Sequence, residues 1–409
     1  MTSHGPPVTP ALDLDPIADL ARRINEAGGP KVVLHVAGGG TEAFPWLLAH
    51  GGGSATLLAG RIPYDPADFI AILGADPGRL VDARAARGLA MAAYRHGLRL
   101  RPDLAGGGVA GIGATAKLTR GPGERPGRGH EVHLALQTGA RTLARSIALP
   151  PGDRAEQEHA TARAILNLVA EARGVAPLPL DLGGAIAEAA TDAAACGHPG
   201  LPALLDGTTP WLALRLGDRA TPDLGRLAPP TSLILPGSFR PLHDGHRRMA
   251  EIAAELLGVP CAFELSLFHP EKPPLDYLSI ADRIGRFAGL PGWLLLTDAP
   301  TYRDKARLFP GSTFVVGHDT AVRIFEPRWY GGVAGRDAML DELEALGTRL
   351  LVFGRVDPSG RFRDLGLDSF AEDRVARFVA RSVQAVAEPE FRLDLSSTAL
   401  RRALDVDLP

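Results

Sequence analysis

The residues best placed to do chemistry lie in one run, Gly237-Ser-Phe-Arg-Pro-Leu-His-Asp-Gly-His246. His243 and His246 are spaced so that, at the first turn of a helix, their imidazoles converge on one side and can donate to phosphate oxygens. Gly237 and Gly245 lack a Cβ and let backbone approach a ligand, while Pro241 stiffens the loop between them. Far along the chain, Ser396, Ser397 and Thr398 offer hydroxyls suited to cap a helix through Leu404, with Arg401 one turn on. Hydroxyls, free N–H groups and a guanidinium gathered at one point make a second phosphate cradle.

These groups need elements to hold them. The first run follows an apolar strand, Ser232–Leu235, and precedes a helix, His246–Leu257, whose Met249, Ile252, Ala253 and Leu256 share one face. Parallel α/β sheets bind anions at such a junction, outside the carboxyl end of a strand, where free N–H groups and the helix dipole point. Further strands are expected at Trp293–Thr297, Thr313–Val316 and Leu350–Phe353, with helices between, which predicts a parallel sheet. The first half shows the same alternation. Strands are expected in Lys31–Ala37 and at Ala55–Ala59, Gly108–Ile112 and His130–Gln137; helices at Pro16–Ala27, Asp82–His96 and Arg154–Arg173.

The expected architecture is therefore α/β throughout, as two three-layer domains, the second Rossmann-like with a parallel sheet. Residues 1–15 read as a disordered tail, 16–175 as the first domain and 231–409 as the second. Between them, 176–230 is rich in Pro, Gly and Asp and reads as a connector with one helical stretch, Ala185–Cys196.

Composition narrows the classes of function. A formal net charge of -3 supplies no overall positive field to draw in nucleic acid. No apolar run is long enough to cross a bilayer, and the opening residues lack a secretory pattern. Only two cysteines, Cys196 and Cys261, occur, so neither a disulfide framework nor a four-thiolate metal site can form within one chain; a reducing cytoplasm is the expected compartment. Lysines are scarce: Lys31, Lys117, Lys272 and Lys305 are all there are.

The run from Gly237 to His246 resembles the Gly-x-Phe-x-Pro-x-His-x-Gly-His signature of the nucleotidylyltransferase superfamily, and Leu395-Ser-Ser-Thr-Ala-Leu-Arg401 resembles its second signature, Ile-Ser-Ser-Thr-x-Ile-Arg. Through FHPEKPPLDYLSI and TYRDKARLFPGSTFVVGHDTAVRI the likeness is to nicotinamide- and nicotinate-mononucleotide adenylyltransferases. The resemblance implies adenylyl transfer from ATP to a mononucleotide with loss of pyrophosphate, with Mg²⁺ arriving on the triphosphate and no resident metal. It assigns His243, His246 and Arg401 to catalysis. Gly237, Ser238, Phe239, Gly245, Lys272, Gly317, Asp319, Ser396, Ser397 and Thr398 are assigned to nucleotide binding. Trp329 and Tyr330 are read as core aromatics. Another phosphate acceptor, or CTP as donor, is the rival enzyme reading; a non-catalytic pyridine-nucleotide regulator is the rival from another class.

The stretch Lys31–Val175 resembles the carboxy-terminal domain of the competence-damage-inducible protein A family, whose active members deamidate nicotinamide mononucleotide. RIPYDPADFIAILG, GVAGIGATAKL and HEVHLALQT carry the likeness, and Tyr64 matches. The family's Glu-Ser-Cys-Thr-Gly-Gly loop stands here as Ala37-Gly-Gly-Gly-Thr-Glu42, and the lysine that should follow the tyrosine is Phe69. Thr41, Ser54 and Thr115 are the remaining hydroxyls and read as turn or cap residues. Lacking a hydroxyl nucleophile and its activating amine, the domain is expected to be inactive as a deamidase and to serve nucleotide binding or homo-oligomerisation.

Overall fold

The computed structural model describes residues 15–121, 124, 127–179, 190–224, 226, 228–268, 272–356, 362–363, 373–386 and 388. These fall into two compact units, one of residues up to Leu73 with Pro77–Ala194, the other of Gly74–Asp76 with residues from Ala195 on. Both are α/β, and no helix among the described residues is long and apolar enough to cross a membrane.

The first unit runs α1 (Pro16–Glu26), β1 (Lys31–Ala37), α2 (Ala43–Leu48), α3 (Gly53–Thr56), β2 (Leu57–Arg61), α4 (Pro66–Leu73), α5 (Ala83–Leu100), β3 (Val109–Lys117), β4 (His130–Thr138), β5 (Arg141–Leu149), α6 (Arg154–Ala172) and β6 (Ala190–Cys196). Its sheet has the order β2-β1-β3-β4-β5-β6, parallel across β2, β1 and β3 and antiparallel from β3 through β5. On one face Leu20 and Ile24 of α1, Leu47 of α2 and Ile165 and Val169 of α6 pack on Leu34, Val36, Ile112 and Leu134. On the other lies α5. Gly111 and Gly113, alternate residues of β3, face it so closely that a Cβ would stand 2.2 Å from the Ala90 and Ala86 carbonyl oxygens. The glycine-rich strand is thus the floor under an alanine-rich helix, a packing device.

One sequence expectation changes here. Ala190–Cys196 is a strand beside β5, not part of a helix, and Arg145 of β5 grips Asp192 through two nitrogens at 2.9 and 2.7 Å. Sheet pairing overrides the helical preference of an alanine run. Of the expected tail, only Asp15 is among the described residues, and its carboxylate caps α1 by accepting from the Ile17 N–H at 3.0 Å.

The second unit runs α7 (Leu201–Leu205), β7 (Trp211–Arg215), β8 (Thr221–Asp223), β9 (Leu233–Pro236), α8 (Asp244–Leu257), β10 (Cys261–Ser266), α9 (Tyr277–Gly285), β11 (Trp293–Thr297), α10 (Tyr302–Leu308), β12 (Thr313–Gly317), α11 (His318–Ile324), α12 (Val333–Ala345), β13 (Arg349–Phe353), β14 (Arg355–Val356), β15 (Phe362–Arg363), α13 (Asp373–Ser382) and β16 (Val383–Val386). The main sheet has the order β16-β13-β12-β9-β10-β11-β7-β8. From β16 to β11 all pairings are parallel, whereas β7 and β8 add antiparallel. The sheet is therefore mixed rather than purely parallel, and its antiparallel edge is built from residues read as connector. Ile234, Ala262, Phe314 and Val352 face a layer containing Phe309 just after α10, Ile324 of α11, Met339 and Leu343 of α12 and Phe378 of α13. On the opposite face α8 buries Ala250, Ile252 and Ala253, while Leu256 stays 40% exposed.

The order of winding locates the site. Chain order steps from β9 outward to β10 and β11, then returns to β12 on the other flank of β9 and continues outward to β13 and β16. Strands that feed away from a central pair in opposite directions leave a crevice at their carboxyl ends, where ligands bind in open α/β sheets.

Candidate functional site

A cavity of about 600 Å³ occupies that crevice. Gly237, Ser238, His243, Gly245, His246, Lys272, Gly317 and Asp319, all expected from the sequence, line it together. Ser396, Ser397, Thr398 and Arg401 lie outside the described residues.

His243 is the N-cap residue of α8 and His246 its third helical residue, so the helix begins before His246 and both rings sit at its amino end. Their centroids are 3.8 Å apart at 32°. The His243 backbone N–H donates to His246 Nδ1 at 3.3 Å. That nitrogen is an acceptor, so in the neutral ring the proton sits on Nε2, which is left as the donor. Burial, and then the neighbouring His243, push the His246 pKa down to about 3; burial also lowers that of His243. At neutral pH both imidazoles are uncharged N–H donors.

The glycines earn a different explanation from the sequence one. A Cβ on Gly237 would stand 2.6 Å from the Phe239 ring, and one on Gly245 would stand 2.9 Å from the His243 ring. They make room for the loop's own side chains. Phe239, expected to bind nucleotide, is fully buried and has a φ of 44°, rare for a residue with a side chain. It packs edge-on against His246, Phe263 and Phe287 at centroid distances of 5.2, 5.6 and 5.1 Å. Its ring anchors the loop in the core and supports His246, and it is not among the side chains that line the cavity.

Several cavity residues carry no motif. Arg240, Arg283, Arg323 and Arg355 join Lys272 and Lys305 on the lining. The two lining carboxylates are each held by a cation: Asp319 by Arg355, and Glu264 Oε1 by Lys305 Nζ at 3.0 Å. The balance is positive, suited to a polyanion. Trp329 and Tyr330, read from the sequence as core, also line the cavity. Burial pushes the Tyr330 phenol up to about 12 and raises that of Tyr302, with Glu264 the next cause for Tyr302. Among the described residues no group of three His, Cys, Asp or Glu is arranged to hold a metal ion.

The loop Ala37–Glu42 of the first unit is filled from within. The N–H groups of Gly40 and Thr41 donate to the Glu158 carboxylate at 2.8 and 2.6 Å, and the Thr41 hydroxyl donates to it at 2.7 Å. The Thr115 hydroxyl donates to the Leu80 carbonyl at 2.6 Å, and Phe69 is buried in a small apolar cluster. Tyr64 is 77% exposed. The Thr115 hydroxyl is spent on a carbonyl, and the carboxylate that takes the Thr41 hydroxyl is held at the same time by two backbone N–H groups of the loop.

No family model matches the chain, and no curated protein matches it. Among solved structures, competence/damage inducible protein CihA from Agrobacterium tumefaciens is similar at 21% identity, covering 40% of this chain and 98% of that one, with a TM-score of 0.31. A competence or damage-inducible protein from Enterobacter asburiae is similar at 18% identity, covering 39% and 98%, with a TM-score of 0.31. A competence-damaged protein (CinA) superfamily member from Enterobacter cloacae is similar at 18% identity, covering 41% and 99%, with a TM-score of 0.28. Similarity at this level assigns no activity to the chain.

Proposed function

We propose that the second unit is a nucleotidylyltransferase that joins the adenylyl group of ATP to nicotinamide or nicotinate mononucleotide and releases pyrophosphate. The observation that carries this reading is the cavity at the β9/β12 crevice, with two neutral histidines at the amino end of α8 and a surplus of cations on its lining.

In the reaction, a 5′-phosphate oxygen of the mononucleotide forms a bond to the α-phosphorus as the bond to the bridging oxygen breaks in line. The electron pair leaves on pyrophosphate, and no covalent enzyme intermediate is needed. Positioning and charge stabilisation are what the protein supplies. His246, with Nε2 as donor, stabilises charge on the α-phosphoryl group; His243 places the phosphates; Lys272 and the lining arginines offset the charge of pyrophosphate. Mg²⁺ belongs to the triphosphate substrate, since both lining carboxylates are engaged by cations. The first unit binds nucleotide or a second copy of the chain without deamidating, a reading supported by the absence of a serine in its Ala37–Glu42 loop and by Phe69, buried among apolar side chains, where an activating amine is needed.

Pyrophosphate release across a grid of ATP and CTP against nicotinamide mononucleotide, nicotinate mononucleotide and phosphopantetheine tests this. Turnover is expected with ATP and at least one pyridine mononucleotide, without ammonia release from the amide. Tight binding with no turnover for any pair would replace it with the regulatory reading.

A further inference from the structure

One buried charged pair on the cavity lining is neutralised within itself. Glu264 is 0% exposed and Lys305 5%, yet both lie on the lining. Glu264 stands near the end of β10, in register with Pro236 of β9, and its carbonyl accepts from the Gly237 N–H at 2.9 Å. Lys305 is placed by the start of α10, which Thr301 and Asp304 fix by reciprocal side-chain-to-backbone bonds of 3.1 and 3.2 Å. Nearby on the lining are Tyr302 and, beside it, Tyr330, so the pair belongs to an aromatic part of the cavity.

The valences are unevenly used. Glu264 Oε1 accepts from Lys305 Nζ at 3.0 Å and from the Thr297 hydroxyl at 2.5 Å, whereas Oε2 has no hydrogen-bond partner among the described residues. Lys305 spends a second N–H on the Ala299 carbonyl at 2.6 Å, leaving one of its three. A lone acceptor beside a remaining donor, in a buried and nearly neutral pair, is the complement of a group that offers one donor and one acceptor. A primary carboxamide is such a group. A carboxylate in its place would satisfy the lysine and meet Glu264 as a second anion.

We propose that the Glu264–Lys305 pair reads the ring substituent of the acceptor mononucleotide and selects an uncharged carboxamide over a carboxylate. This rests on the pyridine-mononucleotide reading of the site. It makes nicotinamide mononucleotide the acceptor.

The test is kcat/KM for nicotinamide against nicotinate mononucleotide with ATP and Mg²⁺, together with calorimetric binding of each mononucleotide, for the full chain and for Glu264→Gln. The amide is expected to be favoured about tenfold or more, and Glu264→Gln, which adds a donor and unmasks Lys305, is expected to move the ratio toward the acid by at least as much. Equal use of the two, preference for the acid, or a ratio unmoved by Glu264→Gln overturns the proposal. If neither turns over but the amide binds more tightly and Glu264→Gln abolishes the difference, recognition stands and the transferase reading falls; if neither binds, both fall. Should Glu264→Gln fail to fold, the double variant Glu264→Gln/Lys305→Met removes both charges together, and retention of the amide preference there overturns the proposal.

Discussion

His246 is a small instance of one side chain serving two structures at once. Its Nδ1 closes the amino end of α8 and its Nε2 is thereby fixed as a donor, while Phe239 holds the ring from below. His246→Ala is expected to cut turnover by about two to three orders of magnitude, the scale for removing one transition-state donor, with little change in circular dichroism. Near-normal pyrophosphate release from that variant would remove His246 from the chemistry. The histidines were legible in the sequence because the whole run from Gly237 to His246, set between an apolar strand and a helix, brings them together at a helix start. The burial of the Phe239 ring was not legible, because a motif does not say whether a fixed side chain faces cavity or core. Glu264 and Lys305 carried no signal, since they are distant in sequence and meet only when β10 and α10 pack.

Among the elements, β3 and α5 are closely fitted. Gly113→Ala would set a methyl against the Ala86 carbonyl, a backbone atom that cannot rotate away, so α5 has to shift. The expected loss is about 1–3 kcal/mol, the range for overpacking, read as a lower urea midpoint at unchanged slope. Wild-type stability in that variant would mean α5 rides higher on β3 than described. Periodicity made β1 to β4 of the first unit and β9, β11, β12 and β13 of the second legible: β11, β12 and β13 fall within a residue of expectation, as do the starts of α5 and α6. It failed at β6, where alanines hide a strand, and at β7, whose WLALR is short and flanked by turn-forming residues. In both cases the strand exists because a neighbour pairs with it, which local sequence does not record.

For the whole molecule, acid is the condition that should matter. His35 in the first unit and His246 in the second are each pushed down to about 3, chiefly by burial and next by a neighbouring histidine, His96 or His243. An unfolded histidine takes up its proton near pH 6.5, so below that pH the unfolded chain binds protons that the folded one refuses. Stability should hold above about pH 6.5 and fall as the pH drops from there toward 3. His35→Leu is expected to make that fall shallower, seen as a flatter plot of urea midpoint against pH; an equally steep plot would clear His35 of the effect. The Glu158 carboxylate bears on the first unit in another way. Because it already sits on the Gly40 and Thr41 N–H groups, any phosphate or carboxylate from solution must win that place in competition. A tethered rival acts at an effective concentration on the order of millimolar or more, so a weak anion at micromolar levels will pass the loop by, and only one that also finds contacts elsewhere can displace it.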